Sequence, residues 1–382
     1  MIKFLTILLA QLKYGNLNSM HKPPDILHNR HIPTTLLNWY ASNQRKLPWR
    51  STAEKMQTPY RIWLSEIMLQ QTQVATVIPY FLRFIDLWPQ LQNLAEASLE
   101  EVLTEWAGLG YYARARNMHK CAQIVTEQHD GQFPDSEAEL VKLPGIGPYT
   151  AAAITAIAFD KKATPLDGNF ERVTARLFGV NIPIAEAKPL LQKLANQLTP
   201  EYRPGDYAQA VMDLGATICI PKKPKCNQCP LHAYCHSLLN GQTETIPITK
   251  QKKTIPQKYG TAFLLTNPSQ EVLIRRRSIT GLLGGMMEIP STEWTDVQKL
   301  NPSYTNLNVT PSKWVPLPGR VNHVFTHFKL ELKVMIGHVQ DTNPIKGHKW
   351  HPLNQIDKAG LPKVMLKIIK HAFEITKNNG QR

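Results

Sequence analysis

The chain has 382 residues, which is enough for two or three domains that each bury a core. Its 44 lysine and arginine residues outnumber its 29 aspartate and glutamate residues, and the formal net charge of +15 favours nucleic acid as a partner over a merely solvated basic surface. There are five cysteines, and four of them cluster between residues 219 and 235, which argues against a disulfide framework and for a metal or cluster site.

The first 30 residues are interpreted as an extension that precedes the folded part. A short apolar run at residues 4–10 follows Lys3, and it is too short to span a bilayer. A signal peptide is the alternative, but a convincing small-residue cleavage site does not follow the run. We therefore expect a disordered extension, no membrane partner and a cytoplasmic protein.

Residues 34–141 show a helical pattern broken by glycine, proline and polar residues. Within it, residues 59–74 predict a helix that carries Glu66 and Gln70 on one face. A carboxyl against an apolar wall has a raised pKa, which suits a general acid, although a glutamate on a helix is more often a solvated surface residue. The polar run at residues 70–73 favours the functional interpretation, because amides and a hydroxyl suit contact with base edges.

Two turns in this region carry aromatic and cationic side chains. Residues 47–50, Leu-Pro-Trp-Arg, place Trp49 beside Arg50. Both side chains suit stacking on a base. The alternative is that Trp49 is a core residue that anchors the turn. Residues 106–117 combine a glycine-flanked turn with two tyrosines and two arginines, which suits a wedge into a base stack and a phosphate contact.

A tight hairpin that feeds a helix is predicted at residues 143–150, Leu-Pro-Gly-Ile-Gly-Pro-Tyr-Thr. Its glycines permit positive φ and close backbone approach, and Pro148 suits the first turn of a helix, whose exposed N–H groups attract phosphate. Residues 164–169, Thr-Pro-Leu-Asp-Gly-Asn, then place Asp167 at a predicted helix N-cap. An ordinary turn and a capping aspartate are the alternative interpretation.

The cysteine cluster has the spacing C-x6-C-x2-C-x5-C and consists of Cys219, Cys226, Cys229 and Cys235. Four thiolates in such a short stretch suit either tetrahedral zinc or an iron–sulfur cluster. Three lysines, Lys222, Lys223 and Lys225, lie between the first two cysteines, so we expect this loop to present cations to phosphate as well.

Beyond the cysteines the sequence pattern changes from helices to strands. Residues 241–258 lack an apolar period and predict a linker. Residues 259–265 and 271–277 predict paired strands, and the strict alternation at residues 328–336 predicts a long half-buried strand. An amphipathic helix is predicted at residues 361–377.

Four segments, WLSEIMLQQTQV, GLGYYARARN, LPGIGPYTA and LDGNF, resemble in order and spacing the MutY family of helix-hairpin-helix DNA glycosylases, which act on adenine mismatches. The resemblance runs from about Leu47 through the cysteines and continues more weakly to the C-terminus. It implies a multidomain protein with an all-α helix-hairpin-helix glycosylase fold and an iron–sulfur cluster loop, followed by an α+β Nudix-like domain. The implied parts are the extension 1–30, the catalytic region 31–236 with the hairpin 143–150 and the [4Fe–4S] loop 219–235, the linker 237–258 and the Nudix-like domain 259–382.

The resemblance also implies the chemistry. The target nucleotide is flipped out of the duplex, because a base within the stack is out of reach. Glu66 is then implied to protonate adenine at N7 and Asp167 to stabilise the sugar cation, with Tyr149 and Asn169 in support. Relatives that cut the strand hold a lysine at the position of Tyr149, and a phenol is unable to form their imine, so a monofunctional glycosylase is implied.

The resemblance implies three further groups of contact residues and one departure from the family pattern. The adenine pocket would contain Trp49, Arg50 and Asp213; the DNA contacts would be Gln70, Gln71, Thr72, Tyr111, Gly145 and Gly147; the 8-oxoguanine loop would be Phe325, Thr326 and His327. Thr326 stands where serine is more usual. Residues 281–288 resemble the loop of the Nudix fold, but the acidic residues of a working hydrolase are missing downstream, so we do not expect a Mg²⁺-dependent pyrophosphatase.

The implied partner is double-stranded DNA with adenine opposite 8-oxoguanine or guanine, bound by a monomer that associates with the nucleoid. Two alternatives remain at this point. An endonuclease III-like glycosylase would remove another base, although Tyr149 argues against it. A cluster-containing DNA-binding protein without catalysis would bind duplexes and release no base.

Overall fold

A computed structural model of the chain describes residues 30–50, 58–249, 254–298, 313–340 and 345–379. It contains two compact units: unit 1 is Met1–Ile67 with Phe133–Gln251, and unit 2 is Met68–Gln132 with Lys252–Arg382. Each unit joins two separate stretches of the chain, so the linear boundaries at residues 30, 236 and 258 stay a prediction. The predicted extension 1–30 lies outside the described residues except for Arg30.

Helices make up most of the first two thirds of the chain. In chain order they are α1 (His31–Asn43), α2 (Pro59–Leu69), α3 (Val74–Leu87), α4 (Leu91–Glu96), α5 (Leu99–Trp106), α6 (Ala113–Gln128), α7 (Glu137–Leu140), α8 (Pro148–Phe159), α9 (Gly168–Phe178), α10 (Ile184–Leu198), α11 (Pro204–Thr217), α12 (His236–Leu239) and α13 (Lys363–Asn379). The predicted helical region is therefore confirmed. Helix α2 ends at Leu69, however, so Gln70 follows the helix that carries Glu66 and does not share its face.

The core of unit 1 is built by α1, α8, α9 and α11. Helix α8 is rich in small residues, and alanines 151–153 are all buried. Small side chains let a neighbouring helix approach closely, and α11 does so at Gly205. A Cβ atom at Gly205 would lie 2.5 Å from the carbonyl oxygen of Ala156 in α8. This close approach keeps α8 fixed against the rest of the unit.

Within the described part of unit 2, seven strands form one sheet. They are β1 (Gln257–Thr266), β2 (Glu271–Arg276), β3 (Met287–Glu288), β4 (Val315–Pro316), β5 (Val321–Val324), β6 (Lys329–His338) and β7 (His348–Pro352). The order is β3-β2-β1-β6-β4, with β5 also paired to β6 and β7 also paired to β2. Strands β1 and β6 run parallel over ten residues each.

Alternation decides which side of β6 is buried. Leu330, Leu332, Val334 and Ile336 are all buried, whereas Lys329 and Glu331 keep some exposure. This is the period of two that a strand with one covered face requires. The predicted long strand, the predicted pairing of β1 with β2 and the predicted C-terminal helix α13 are confirmed, and the structure shows that β1 and β2 run antiparallel.

Part of the predicted linker packs into unit 1. Ile246 is 1% exposed and lies in a core cluster with Ala175, Ala187 and Leu191. The backbone N–H of Ile184 donates to the carbonyl oxygen of Ile248, which ties the segment to the start of α10. Residues 241–249 and 254–256 form no helix or strand, but Ile246 is buried, and the last two residues of the predicted linker, Gln257 and Lys258, already belong to β1.

Substitution of Gly205 by alanine tests the contact between α8 and α11. We expect Gly205→Ala to lower the free energy of unfolding by about 1–3 kcal/mol, because the added methyl group meets backbone atoms. Gly168→Ala is the matched control, since a Cβ atom there would meet nothing within 4 Å, and it should change stability by less than about 0.5 kcal/mol. Urea unfolding measures both, and equal losses would contradict the role of the close approach.

Candidate active site

The side chain of Glu66 lies in the interior of unit 1. It is 6% exposed on helix α2, between the buried residues Ser65 and Ile67. The hydroxyl of Tyr149 donates a hydrogen bond of 2.9 Å to Oε2 of Glu66. Burial raises the pKa of Glu66 from 4.5 to about 7; the hydrogen bond from Tyr149 opposes this rise, the charge of Asp167 adds to it, and the charge of Arg50 opposes it. A buried carboxyl of this kind is able to hold a proton near neutral pH.

The predicted hairpin brings Tyr149 to this carboxyl. Gly145 has a φ of +79°, a conformation that favours glycine, and Gly147 is the N-cap residue of α8. Pro148 occupies the first turn of α8, where its missing N–H costs no hydrogen bond. Tyr149 follows at once and points into unit 1, whereas Gly145 and Gly147 are exposed. The exposed backbone N–H groups at this helix start suit an anion such as phosphate.

Asp167 caps helix α9, as the sequence predicts. Its Oδ1 accepts hydrogen bonds from the backbone N–H groups of Asn169 and Phe170, at 2.9 and 2.8 Å. Its Oδ2 accepts from the side-chain amide of Asn169 at 2.8 Å. Burial raises the pKa of Asp167, and these three hydrogen bonds oppose the rise. The carboxylate is thus held in one orientation, near enough to Glu66 for the two charges to interact.

The other end of the site contains Arg50 and Asp213, both buried. The two guanidinium nitrogens of Arg50 donate to the two oxygens of Asp213, at 2.6 and 2.7 Å. Arg45 adds a side-chain hydrogen bond of 2.6 Å and a backbone hydrogen bond of 2.9 Å to the same carboxylate. These charges hold the pKa of Asp213 below its usual value, although burial opposes them. Trp49 is 7% exposed, as expected for a core anchor.

A second group of the predicted residues lies together in unit 2. A cavity of about 550 Å³ is lined by Gln70, Gln71, Tyr111, Leu282 and residues 325–328, among others. The hydroxyl groups of Tyr111 and Thr326 form a hydrogen bond of 2.6 Å. The cavity wall therefore brings together the turn after α2, the turn before α6 and the loop between β5 and β6.

Two exposed residues of this cavity have left-handed backbone conformations that side chains rarely adopt. The φ angles are +56° for Gln71 and +48° for Tyr111. Arg114 holds both turns: it donates to the carbonyl oxygens of Met68, Leu109 and Gly110 and to the hydroxyl of Thr72. Its guanidinium also lies 5.5 Å from the ring centroid of Tyr111. Such strain persists where the surroundings fix the backbone, and it is typical of functional sites.

Both arginines of residues 106–117 have hydrogen-bond partners within unit 2, and the phosphate contact expected of this turn stays a prediction. Arg114 is engaged with carbonyl oxygens, a hydroxyl and aromatic rings, and Arg116 donates to the carbonyl oxygen of Gly284 at 2.6 Å. Burial lowers the pKa of Arg114 to about 10. The sequence interpretation also missed Arg45 as a partner of Asp213, because the two residues are 168 positions apart and no local pattern connects them.

The four clustered cysteines line one pocket of unit 1, together with Arg176 and His232. Arg176 is buried and donates hydrogen bonds to the carbonyl oxygens of Ile220, Pro221 and Ile246 and to the sulfur of Cys219. Among the described residues, groups of three or more His, Cys, Asp or Glu side chains arranged to hold a metal ion are not found. The thiols thus share a pocket without converging on one point. Cys121 is fully buried and lies outside this pocket.

Comparisons with known proteins agree with this geometry. Residues 64–200 match a family model described as an HhH-GPD superfamily base excision DNA repair protein, and residues 261–371 match a NUDIX domain. A structure described as a thermostable thymine-DNA glycosylase is similar, with 29% identity, a TM-score of 0.50 and coverage of 56% of this chain and 97% of that chain. The chain thus has the helical fold of base-excision DNA glycosylases, followed by a NUDIX domain.

Relatives that match most of the chain identify the family within this class. An adenine DNA glycosylase of Buchnera aphidicola subsp. Baizongia pistaciae (strain Bp) is 37% identical over 340 residues, which cover 88% of this chain and 95% of the relative. The adenine DNA glycosylase of Homo sapiens is 33% identical over 419 residues, which cover 93% and 76%. The chain belongs to the adenine DNA glycosylase family, whose members are hydrolases of the N-glycosidic bond in DNA repair. Within the described part of the chain, no helix has the length and apolar character needed to cross a membrane.

The raised pKa of Glu66 predicts that the free energy of unfolding depends on pH. Between pH 4.5 and about 7 the unfolded chain loses the Glu66 proton while the folded chain keeps it, so the free energy of unfolding falls as the pH rises through this window. Glu66→Gln is unable to ionise and still offers an oxygen to Tyr149. We expect the variant to gain about 1–3 kcal/mol over the wild type between pH 4.5 and pH 8.

Urea unfolding of both proteins at pH 4.5 and pH 8 measures this gain. Groups elsewhere titrate in the same way in both proteins and cancel in the comparison. A stability difference that is equal at the two pH values would contradict a buried, protonated Glu66.

Proposed function

We propose that the chain flips adenine out of duplex DNA, where it lies opposite 8-oxoguanine or guanine, and hydrolyses its N-glycosidic bond. Family membership supports the adenine specificity. The single observation that carries the mechanism is the buried carboxyl of Glu66, held by Tyr149 and lying within electrostatic range of Asp167. Cleavage of this bond develops charge on both fragments, and two carboxyl groups with different environments suit it.

Glu66 acts as the general acid in this proposal. With a pKa of about 7 it holds a proton in a substantial fraction of molecules at neutral pH and passes that proton to N7 of the flipped adenine. The base then leaves as a neutral species. Tyr149 donates to Oε2 and so stabilises the carboxylate that remains after proton transfer.

Asp167 stabilises the positive charge that develops on the sugar. Its two oxygens are held by the N-cap hydrogen bonds and by the amide of Asn169, so the carboxylate needs no reorientation as the charge appears. Arg172 in turn donates to the side-chain oxygen of Asn169 at 2.8 Å, which fixes the direction of that amide. Asn169 is thus a positioning residue for Asp167.

Water, and not an amine of the protein, is proposed to complete the reaction. Tyr149 occupies the hairpin position from which a lysine would attack the sugar, and a phenol forms no Schiff base. The product is then an abasic site in an unbroken strand. This argues against the endonuclease III-like alternative, which requires such an amine.

The adenine pocket is proposed to contain Trp49, Arg50 and Asp213. Both oxygens of Asp213 accept hydrogen bonds from Arg50 and Arg45, so its first role is to orient the guanidinium of Arg50. The charge of Arg50 also acts on Glu66 and opposes the rise of its pKa. Arg50 therefore links the recognition of adenine to the protonation of the acid.

The cavity of unit 2 is proposed to receive the base opposite adenine. Gln71 and Tyr111 are exposed on strained turns and suit insertion into the base stack, with Gln70 and Thr72 beside them. Phe325, Thr326 and His327 are proposed to contact 8-oxoguanine. The backbone of Gly145 and Gly147, exposed at the start of α8, is proposed to hold a phosphate.

The four cysteines are proposed to hold a [4Fe–4S] cluster. Four thiols that share one pocket fit the ligand number of such a cluster, and the buried Arg176 supplies hydrogen bonds to the loop that carries them. When bound, the cluster would cross-link this loop. The exposed residues Lys222, Lys223 and Lys225 on the same loop would then meet DNA phosphates from a fixed position.

We further propose that the protein works as a monomer on double-stranded DNA. The cytoplasmic, nucleoid-associated location stays a prediction that follows from the DNA substrate.

Single-turnover cleavage of a duplex with adenine opposite 8-oxoguanine tests the reaction. We expect the wild type to release free adenine and to leave strands that break only after alkali. Glu66→Gln should lower the rate by about 100-fold or more, because the leaving base loses its acid. Release of no adenine by a folded wild type would favour the non-catalytic DNA-binding alternative, and strand breakage without alkali would reveal a lyase.

Metal analysis of the purified protein tests the cluster. We expect about four iron atoms and four sulfides per chain and a visible absorption band near 400 nm, all strongly reduced in Cys226→Ser because one of four ligands is lost. Cys121→Ser is the control, since that buried thiol lies outside the cysteine pocket, and it should keep its iron. One zinc atom in place of iron would favour the structural zinc alternative.

A further inference from the structure

The loop with Phe325, Thr326 and His327 rests on a column of aromatic side chains in unit 2. The rings of Phe325 and Phe328 lie 4.8 Å apart, and the N–H of Phe325 donates to the carbonyl oxygen of Phe328 at 2.9 Å. Trp294 contacts both rings, with centroid distances of 5.7 Å to Phe325 and 6.4 Å to Phe328. Aromatic pairs at such distances attract each other beyond the burial of their surface.

Strand β1 fixes the position of the Trp294 indole. Gly260 leaves the space that the indole occupies, because a Cβ atom there would lie 2.7 Å from its Cδ1. The neighbouring residue Thr295 exchanges two backbone hydrogen bonds with Tyr259, at 2.8 and 3.0 Å. The side chain and the backbone of this segment are therefore both held against the sheet.

A cation lies over the indole. The guanidinium of Arg277 is 5.3 Å from the ring centroid of Trp294, and it also forms an ion pair with Glu288. Glu288 is 1% exposed and forms a second ion pair with Arg275 at 2.7 Å. Since both arginines hold this carboxylate, Arg277 has little freedom to move away from the ring.

Trp294 stands outside the lining of the cavity, whereas Phe325 and Phe328 form part of that lining. Trp294 therefore acts on the cavity through these two rings, and through Arg277, whose Nε donates to the carbonyl oxygen of the lining residue Leu282 at 3.2 Å. 8-Oxoguanine differs from guanine in that it has an oxygen at C8 in place of a hydrogen, and a hydrogen at N7. A wall that shifts easily would therefore accept both bases. A wall held in one place is able to distinguish them.

We infer that Trp294 is a positioning residue for the recognition loop, and that it sets the preference for 8-oxoguanine over guanine opposite adenine by holding Phe325 in the cavity wall. The inference rests on the proposed function of the cavity. It extends the recognition site to a residue outside the cavity and assigns Glu288 and Arg277 the role of anchoring it.

The test compares the preference ratio, which is the single-turnover kcat/KM on 8-oxoguanine:adenine divided by that on guanine:adenine duplexes. We expect Trp294→Leu to lower this ratio about tenfold, chiefly through the 8-oxoguanine duplex, and Trp294→Phe to keep most of it because a ring remains. Trp314→Leu is the matched control. Trp314 packs on Phe263 in the same sheet, at 5.2 Å, and lies outside the lining of the cavity.

Three outcomes would overturn the inference. A wild type with a clear preference and an unchanged ratio in Trp294→Leu would show that the indole has no part in recognition. Equal losses in Trp294→Leu and Trp314→Leu would show only a general loosening of the sheet. A wild type without any preference would remove the proposed function of the cavity itself, and the inference with it. If Trp294→Leu fails to unfold cooperatively, Trp294→Met replaces it and must lower the ratio while Trp314→Leu does not.

Discussion

The hydrogen bond between Tyr149 and Glu66 is the constraint on which the rest of unit 1 depends. A carboxyl inside a protein is costly unless it is protonated or has a partner, and here the phenol supplies the partner while burial favours the proton. The bond is possible only where the start of α8 is held within reach of Glu66 on α2. The hairpin glycines direct the chain into α8, and the small residues of α8 allow α11 to pack against it. The packing of this core thus keeps the hydroxyl of Tyr149 within hydrogen-bond distance of the buried Glu66.

Arginine has a largely internal role in this basic protein. Arg50 binds a buried carboxylate, Arg114 joins two turns of unit 2, and Arg176 binds the backbone of the cysteine loop. The planar guanidinium has five donors and suits several acceptors at once, which a lysine ammonium serves less well. The lysines between the first two clustered cysteines are, by contrast, exposed. Among these six residues, the positive charge inside the fold thus belongs to arginines and the exposed positive charge to lysines.

The features predicted correctly from the sequence are those that depend on residues close together in the chain. The N-cap role of Asp167, the start of α8 at Pro148 and the alternation of β6 depend on neighbouring residues, and all three are confirmed. The end of α2 at Leu69 and the contact between Arg45 and Asp213 were missed. The first depends on a left-handed residue, Gln71, for which no glycine gives a signal, and the second joins residues far apart in sequence. Likewise, the aromatic side chains around Phe325 are brought together by the sheet, and no short sequence motif predicts the pairing of its strands.

The contact between Tyr111 and Thr326 has a consequence for the proposed binding of a base in the cavity of unit 2. Each hydroxyl is able to donate or to accept, so the direction of their shared hydrogen bond reverses by rotation of two protons, without movement of any heavy atom. Guanine presents an acceptor at N7, whereas 8-oxoguanine presents an N–H there, and such a reversible pair satisfies either one. The two hydroxyls are therefore able to act as donor or as acceptor toward a base while their oxygen atoms stay in place. In the proposed site, discrimination between the two bases is therefore assigned to groups with a permanent polarity or a permanent shape.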